Sequence, residues 1–163
     1  MGANMNLKLI KQMAVLSAIW GGIFGVISLI PIIGGLAFLV MFLGLSAILI
    51  VMMKQRDMIG IFNMKEGAIW GAVIGFVAFI AFAVVYTPLS IIVGLIFKSY
   101  AYGFLKTFFT SIIGFIVMVM LMFFIALLSA LMNSFAGVVT AYVYELLSGF
   151  KKQANENVDF EIK

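Results

Sequence analysis

Side chains able to do chemistry are scarce in this chain. Histidine and cysteine are both absent, which removes the commonest metal ligands, the imidazole base and the thiolate nucleophile. Among the charged residues, only Lys98 and Glu145 stand within strongly apolar surroundings. An ionisable group held inside a membrane marks a proton or ion site by default, so Lys98 paired with Glu145 is one reading. The other is an interfacial carboxylate. Glu145, in "AYVYELLSGF", lies within about two helical turns of Lys151 and Lys152, and a charge at a helix end reaches the interface cheaply. The second reading is the expectation. Glu66 has a plainer role: Asn63 followed three residues later by Glu66, ahead of an apolar run, has the form of a helix-start capping box.

The remaining inventory points away from catalysis. No phosphate-binding glycine loop followed by Lys and Ser or Thr occurs, and no two carboxylates fall within one apolar run. Methionines cluster in "MVMLMFF" without the thiolate or imidazole partners that soft metals favour. We therefore expect no cofactor, no metal and no enzymatic activity. The hydroxyls of Ser17, Ser28, Ser46, Ser90, Thr110 and Ser111 are the obvious residues to line a hydrated pathway, if there is one.

The elements that must carry these residues are membrane helices. Of 163 residues, 66% are hydrophobic and 10% charged, far from the roughly 45–50% and 25% of a soluble domain. Residues 13–53, 67–97 and 107–144 contain no charge, and one helical span needs only about 20 apolar residues. The runs are continuously apolar rather than alternating, which favours helices over an outer-membrane barrel. The fold class is thus an all-α polytopic integral membrane protein. Lys8 and Lys11 precede the first run like a signal n-region, but the run is too long for a cleavable segment.

Counting the spans depends on breaks. "PIIGG", with Pro31 and two glycines, divides the first run into a hairpin over about 11–53. The third run, 107–148, would reach about 63 Å as one helix, twice a core of about 30 Å. "SALMNS" is the expected break there, with Asn133 capping the last helix. The middle run either turns at Pro88 to make a hairpin over about 67–105, or continues as one kinked helix.

With a turn at Pro88, all basic segments fall on one side, and short Lys- and Arg-rich loops stay cytoplasmic. This predicts a compact bundle of about six helices in three hairpins. Residues 1–10 and a polar tail at 149–163 would both be cytoplasmic, in the plasma membrane. Lys98 would then snorkel from a short helix. Five spans are the alternative.

A repeat runs through the first two hairpins. "AIWGGIFG" begins at Ala18 and "AIWGAVIG" at Ala68, and both start from the same side, as a parallel duplication would. Gly21 and Gly25 in the first copy, and Gly67, Gly71 and Gly75 around the second, recur every four residues. Small residues at that spacing let membrane helices approach closely. These faces suit packing within the chain or pairing with a second copy or another membrane protein.

The expected function is that of a non-catalytic membrane scaffold, assembly or interaction component. A small channel or transporter built on the parallel repeat, with Pro31 and Pro88 as helix breaks by the pathway, is the alternative, as is a holin-like permeabilising protein. The partner implied throughout is the lipid bilayer. A net charge of +4 suits anionic headgroups on the cytoplasmic side rather than nucleic acid.

Overall fold

Four long helices make up the regular structure of the described residues. A computed structural model describes residues 7–56, 58–60, 62–97 and 111–161, with Lys8 and residues 148–161 described by backbone alone. The helices are α1 (Leu7–Ile27), α2 (Ile33–Gln55), α3 (Met64–Phe97) and α4 (Ile112–Glu161). Each contains a segment long and apolar enough to cross a membrane. The chain is thus an all-helical membrane bundle.

Local chemistry explains the helix ends. Between α1 and α2 the Ile33 N–H donates to the Pro31 carbonyl (2.8 Å) across Ile32, whose φ of 70° and ψ of −59° form a tight three-residue turn. Gly34 follows because a Cβ there would run into the Ser28 backbone. At α3 the capping box is present. The Glu66 N–H donates to Asn63 Oδ1 (2.9 Å), and the Asn63 N–H donates to Glu66 Oε2 (3.1 Å). Ser111 caps α4 by accepting from the Gly114 N–H (2.9 Å). Lys54, in the last turn of α2, donates to the carbonyls of Gly60 (2.8 Å) and Ile59 (3.3 Å), tying down the α2–α3 connection.

Two expected breaks are not there, and with them go the expected hairpins over 67–105 and 107–148; the described residues form four helices rather than six. α3 runs through Pro88. The missing N–H costs one hydrogen bond to the carbonyl four residues back, whereas unwinding in lipid would leave several groups unsatisfied. α4 runs through "SALMNS", so Asn133 caps nothing. That segment is rich in strong helix formers, and its polar side chains find partners on other helices, as described below. The tail expected from residue 149 continues the α4 backbone helix as far as Glu161.

Contact pairs give the helix directions. Gly21 lies on Ala78 and Gly25 on Phe82, so α1 and α3 run parallel. Gly67 meets Gly137, Gly71 meets Asn133 and Gly75 meets Ser129, so α3 and α4 run antiparallel. Tyr144 of α4 packs its ring on Phe62, just ahead of α3 (5.8 Å between centroids). One end of the bundle therefore gathers the start of α1, the α2–α3 connection and the close of the apolar part of α4.

Helix α3 is the central post, burying Trp70, Ile74, Ala78, Phe79 and Phe82. Met41, Leu45 and Leu49 of α2 and Ala126 and Ala141 of α4 complete the core. The helices differ in reach. At about 1.5 Å per residue, the 21 and 23 residues of α1 and α2 extend about 31 and 34 Å, close to one hydrocarbon thickness. The 34 residues of α3 extend about 51 Å.

Candidate functional site

The centre of the bundle holds a polar cluster on a glycine-lined contact. Gly67, Gly71 and Gly75 are all buried in α3. The face of α4 opposite them is Ser129, Asn133 and Gly137, also spaced by four. A Cβ on Gly71 would run into the Asn133 carbonyl, one on Gly75 would come 2.5 Å from the Ser129 carbonyl, and one on Gly137 would run into the Gly67 carbonyl. Backbone lies on backbone along this contact, which is the close approach that small residues permit.

Asn133 sits at the middle of this contact, fully buried. Its carboxamide reaches across to α2 and straddles one helical turn. Asn133 Nδ2 donates to the Phe42 carbonyl (2.9 Å), and Asn133 Oδ1 accepts from the Ser46 N–H (2.9 Å). The Phe42 carbonyl and the Ser46 N–H are the two groups that pair across a turn in an undisturbed helix. The Met41 carbonyl (3.2 Å) and the Ser129 carbonyl (3.1 Å) also accept from Nδ2. Ser46 Oγ donates to the Asn133 carbonyl (2.7 Å), and Ser129 Oγ donates to the Gly75 carbonyl (3.1 Å). Three helices are thereby joined through one amide and two hydroxyls, every one of them bonded.

The other hydroxyls are spent locally. Ser17 Oγ donates to the Met13 carbonyl (2.6 Å), Ser90 Oγ to the Thr87 carbonyl (2.8 Å), and Ser28 Oγ to the Gly34 carbonyl (3.4 Å). Ser111 is a helix cap, and Thr110 lies outside the described residues. None of the described hydroxyls singled out in the sequence points to a shared polar pathway.

The two copies of the repeated phrase make unlike contacts. Gly21 and Gly25 pack on the parallel helix α3, whereas Gly71 and Gly75 pack on the antiparallel helix α4. Trp20 is half-buried beside Phe24 (6.0 Å), while Trp70 is buried against Phe62 (5.1 Å). The Trp70 Nε1–H is the one buried side-chain polar atom without a partner among the described residues. Parallel direction is shared by the two copies; a twofold equivalence of neighbours is not.

Of the two isolated charges, Lys98 lies outside the described residues, and Glu145 occupies an exposed position one residue past Tyr144. Phe97, the last residue of α3, is at the opposite end of that helix from Phe62 and Tyr144. Pro31 sits in the α1–α2 turn, and Pro88 inside α3. No group of three or more Asp and Glu able to hold a metal ion occurs among the described residues.

Comparison with protein-family models, with curated proteins and with solved structures returns no match. The functional reading rests on this chain's own geometry.

Sequence reasoning read Asn133 as a cap and passed over Gly137. The available signal was the four-residue series Ser129, Asn133, Gly137, Ala141, which puts one amide and three small residues on a single helical face.

Proposed function

We propose that the chain is a non-catalytic, multi-pass membrane component that acts as a scaffold or assembly partner, with four spans. The observation that carries this reading is the fate of the buried polar groups. Asn133, Ser46 and Ser129 all bond helix to helix, which holds a bundle together and leaves no hydrated lining from these residues. The outward surface of α4 is correspondingly apolar, with Phe124, Leu131 and Phe135 exposed. That surface suits lipid, a second copy of the chain or another membrane helix.

Four spans retain the charge asymmetry. Among the described residues, Lys11, Lys54, Arg56 and Lys65 all belong to the end that gathers the start of α1 and the α2–α3 connection. The positive-inside rule then puts both termini and the α2–α3 connection in the cytoplasm, with the plasma membrane as the assigned location and anionic headgroups as neighbours on that side. The channel reading loses its polar lining among the described residues, and the holin-like reading has no geometric support of its own.

Native cysteine is absent, so the topology is directly testable. Ser99→Cys should react with an impermeant maleimide in intact cells, and Gly60→Cys only after permeabilisation. Protection of both would restore the six-span count. Purified protein in liposomes should leak neither potassium nor a small anionic dye above protein-free vesicles. Sustained flux would replace the scaffold reading with a channel.

A further inference from the structure

The charged end of the bundle carries a groove of about 460 Å³ between the first turns of α1 and the last turns of α2. That volume is within the range of small-molecule sites. Lys11 and Arg56 stand on it, both exposed, and Val15, Leu16, Met52 and Met58 supply apolar surface. Among the described residues no carboxylate lines it. Lys54, nearby in sequence, is occupied with the Ile59 and Gly60 carbonyls, whereas the side chains of Lys11 and Arg56 make no bond to any described residue. Asp57 lies outside the described residues.

We propose that this groove binds one anionic diacyl phospholipid, its phosphate between Lys11 and Arg56 and one acyl chain along α1. The proposal rests on the membrane reading given above, which puts this end of the bundle at headgroup depth. Both halves of the site are needed to choose the ligand. Two exposed cations with no described carboxylate beside them on the groove select a net negative headgroup, and a guanidinium matches phosphate oxygens in a bidentate fork. A soluble phosphate would leave the apolar floor wet. A zwitterionic headgroup would bring its own cation against Lys11 and Arg56. Gln12, also on the groove, offers donors and an acceptor for the glycerol esters.

The acyl path is continuous with the site. Val15, Ile19 and Ile23 are exposed along one stripe of α1, spaced by four and so on one face. They give a chain about 12 Å of apolar track beyond the headgroup. Basic pockets between membrane helices on the cytoplasmic side are established sites for anionic lipid headgroups.

The test is native mass spectrometry of the full chain after purification with an equal mixture of phosphatidylglycerol and phosphatidylcholine. One bound phosphatidylglycerol per chain is expected, retained at least tenfold over phosphatidylcholine. Lys11→Gln with Arg56→Gln should abolish that preference, whereas Lys65→Gln, an exposed lysine outside the groove, should leave it intact. Leu16→Trp, which keeps both charges and fills the floor, should also release the lipid. This second variant decides the matter if the double variant does not fold.

Equal retention of the two lipids by the unaltered chain would overturn the proposal, as would undiminished phosphatidylglycerol retention in Leu16→Trp. Displacement by millimolar inorganic phosphate would show an ion site and not a lipid site. Alkaline carbonate extraction, run beside it, separates this failure from failure of the membrane reading: a chain released from membranes loses both, and a chain that stays behind without lipid preference loses only this one.

Discussion

Helix α3 is gripped on two sides by glycine contacts that look alike in sequence and differ in kind. On the α1 side, Gly21 lies on the Ala78 backbone, while Gly25 leaves more room, a Cβ there meeting the Phe82 carbonyl at 3.1 Å and Val85 Cβ at 3.2 Å. No side-chain hydrogen bond crosses this contact among the described residues; packing alone holds it. On the α4 side, three glycines of α3 face Gly137 and the backbones of Ser129 and Asn133, and the same face carries the amide that reaches into α2. Glycine spacing provides closeness on both sides. The amide adds register, because a shift of α4 by one turn would carry Asn133 away from the Phe42 carbonyl and the Ser46 N–H together.

The largest effect should come from overfilling the α4 contact. Gly71→Ile puts a branched side chain where backbone already sits, and should cost about 3 kcal/mol or more, read as lost resistance to unfolding in SDS titrations. A loss no larger than that of Gly25→Ala would erase the distinction between the two contacts. Next is Asn133→Ala, which removes the amide bonded to the Ser46 N–H and the Phe42 carbonyl. Roughly 1.5 kcal/mol is expected from polar contacts of this kind in membranes. In this variant, hydrogen exchange at Ser46 should accelerate while that at Ser17 stays unchanged. No change at Ser46 would show that the amide does not fix the register.

The α1 contact should respond more mildly at Gly25, and the α1–α2 turn should respond favourably. Ile32→Gly relieves a β-branched residue of its positive φ at an 88% exposed position, so the melting temperature should rise by an amount equivalent to about 1 kcal/mol. A fall would mean that the turn needs its side chain. Gly25→Ala, the smallest change, should cost about 1 kcal/mol or less, since the Phe82 carbonyl (3.1 Å), Val85 Cβ (3.2 Å) and the Tyr86 nitrogen (3.3 Å) need give by only a few tenths of an ångström. A cost matching that of Gly71→Ile would make the two sides equivalent after all.

What the sequence made legible was whatever is decided within a few residues. Long uncharged runs identify membrane helices, Pro31 with two glycines fixes the first turn, and Asn63 with Glu66 marks the start of α3. Four-residue glycine spacing announces close packing without naming the neighbour. Asn133 escaped because its decisive partners are 87 and 91 residues away. A polar residue inside an apolar run reads locally as a break, and only the facing helix turns it into a crosslink. Pro88 misled for a related reason, since local propensity weighs one lost hydrogen bond and ignores what an unwound turn would cost in lipid.

The straddling amide also sets an order of events during biosynthesis. When the ribosome has delivered α1, α2 and α3, the Phe42 and Ser46 groups of α2 can pair within their own helix. The carboxamide of α4 follows them, and on its own helix it has the Ser129 carbonyl and hydroxyl to bond until α2 is beside it. A nascent α4 therefore carries a polar tag that discriminates between its proper seat and bare lipid. A copy stranded without α2 would satisfy that tag on another stranded copy, so the group that closes the finished bundle is also the one that makes an orphaned last helix adhesive.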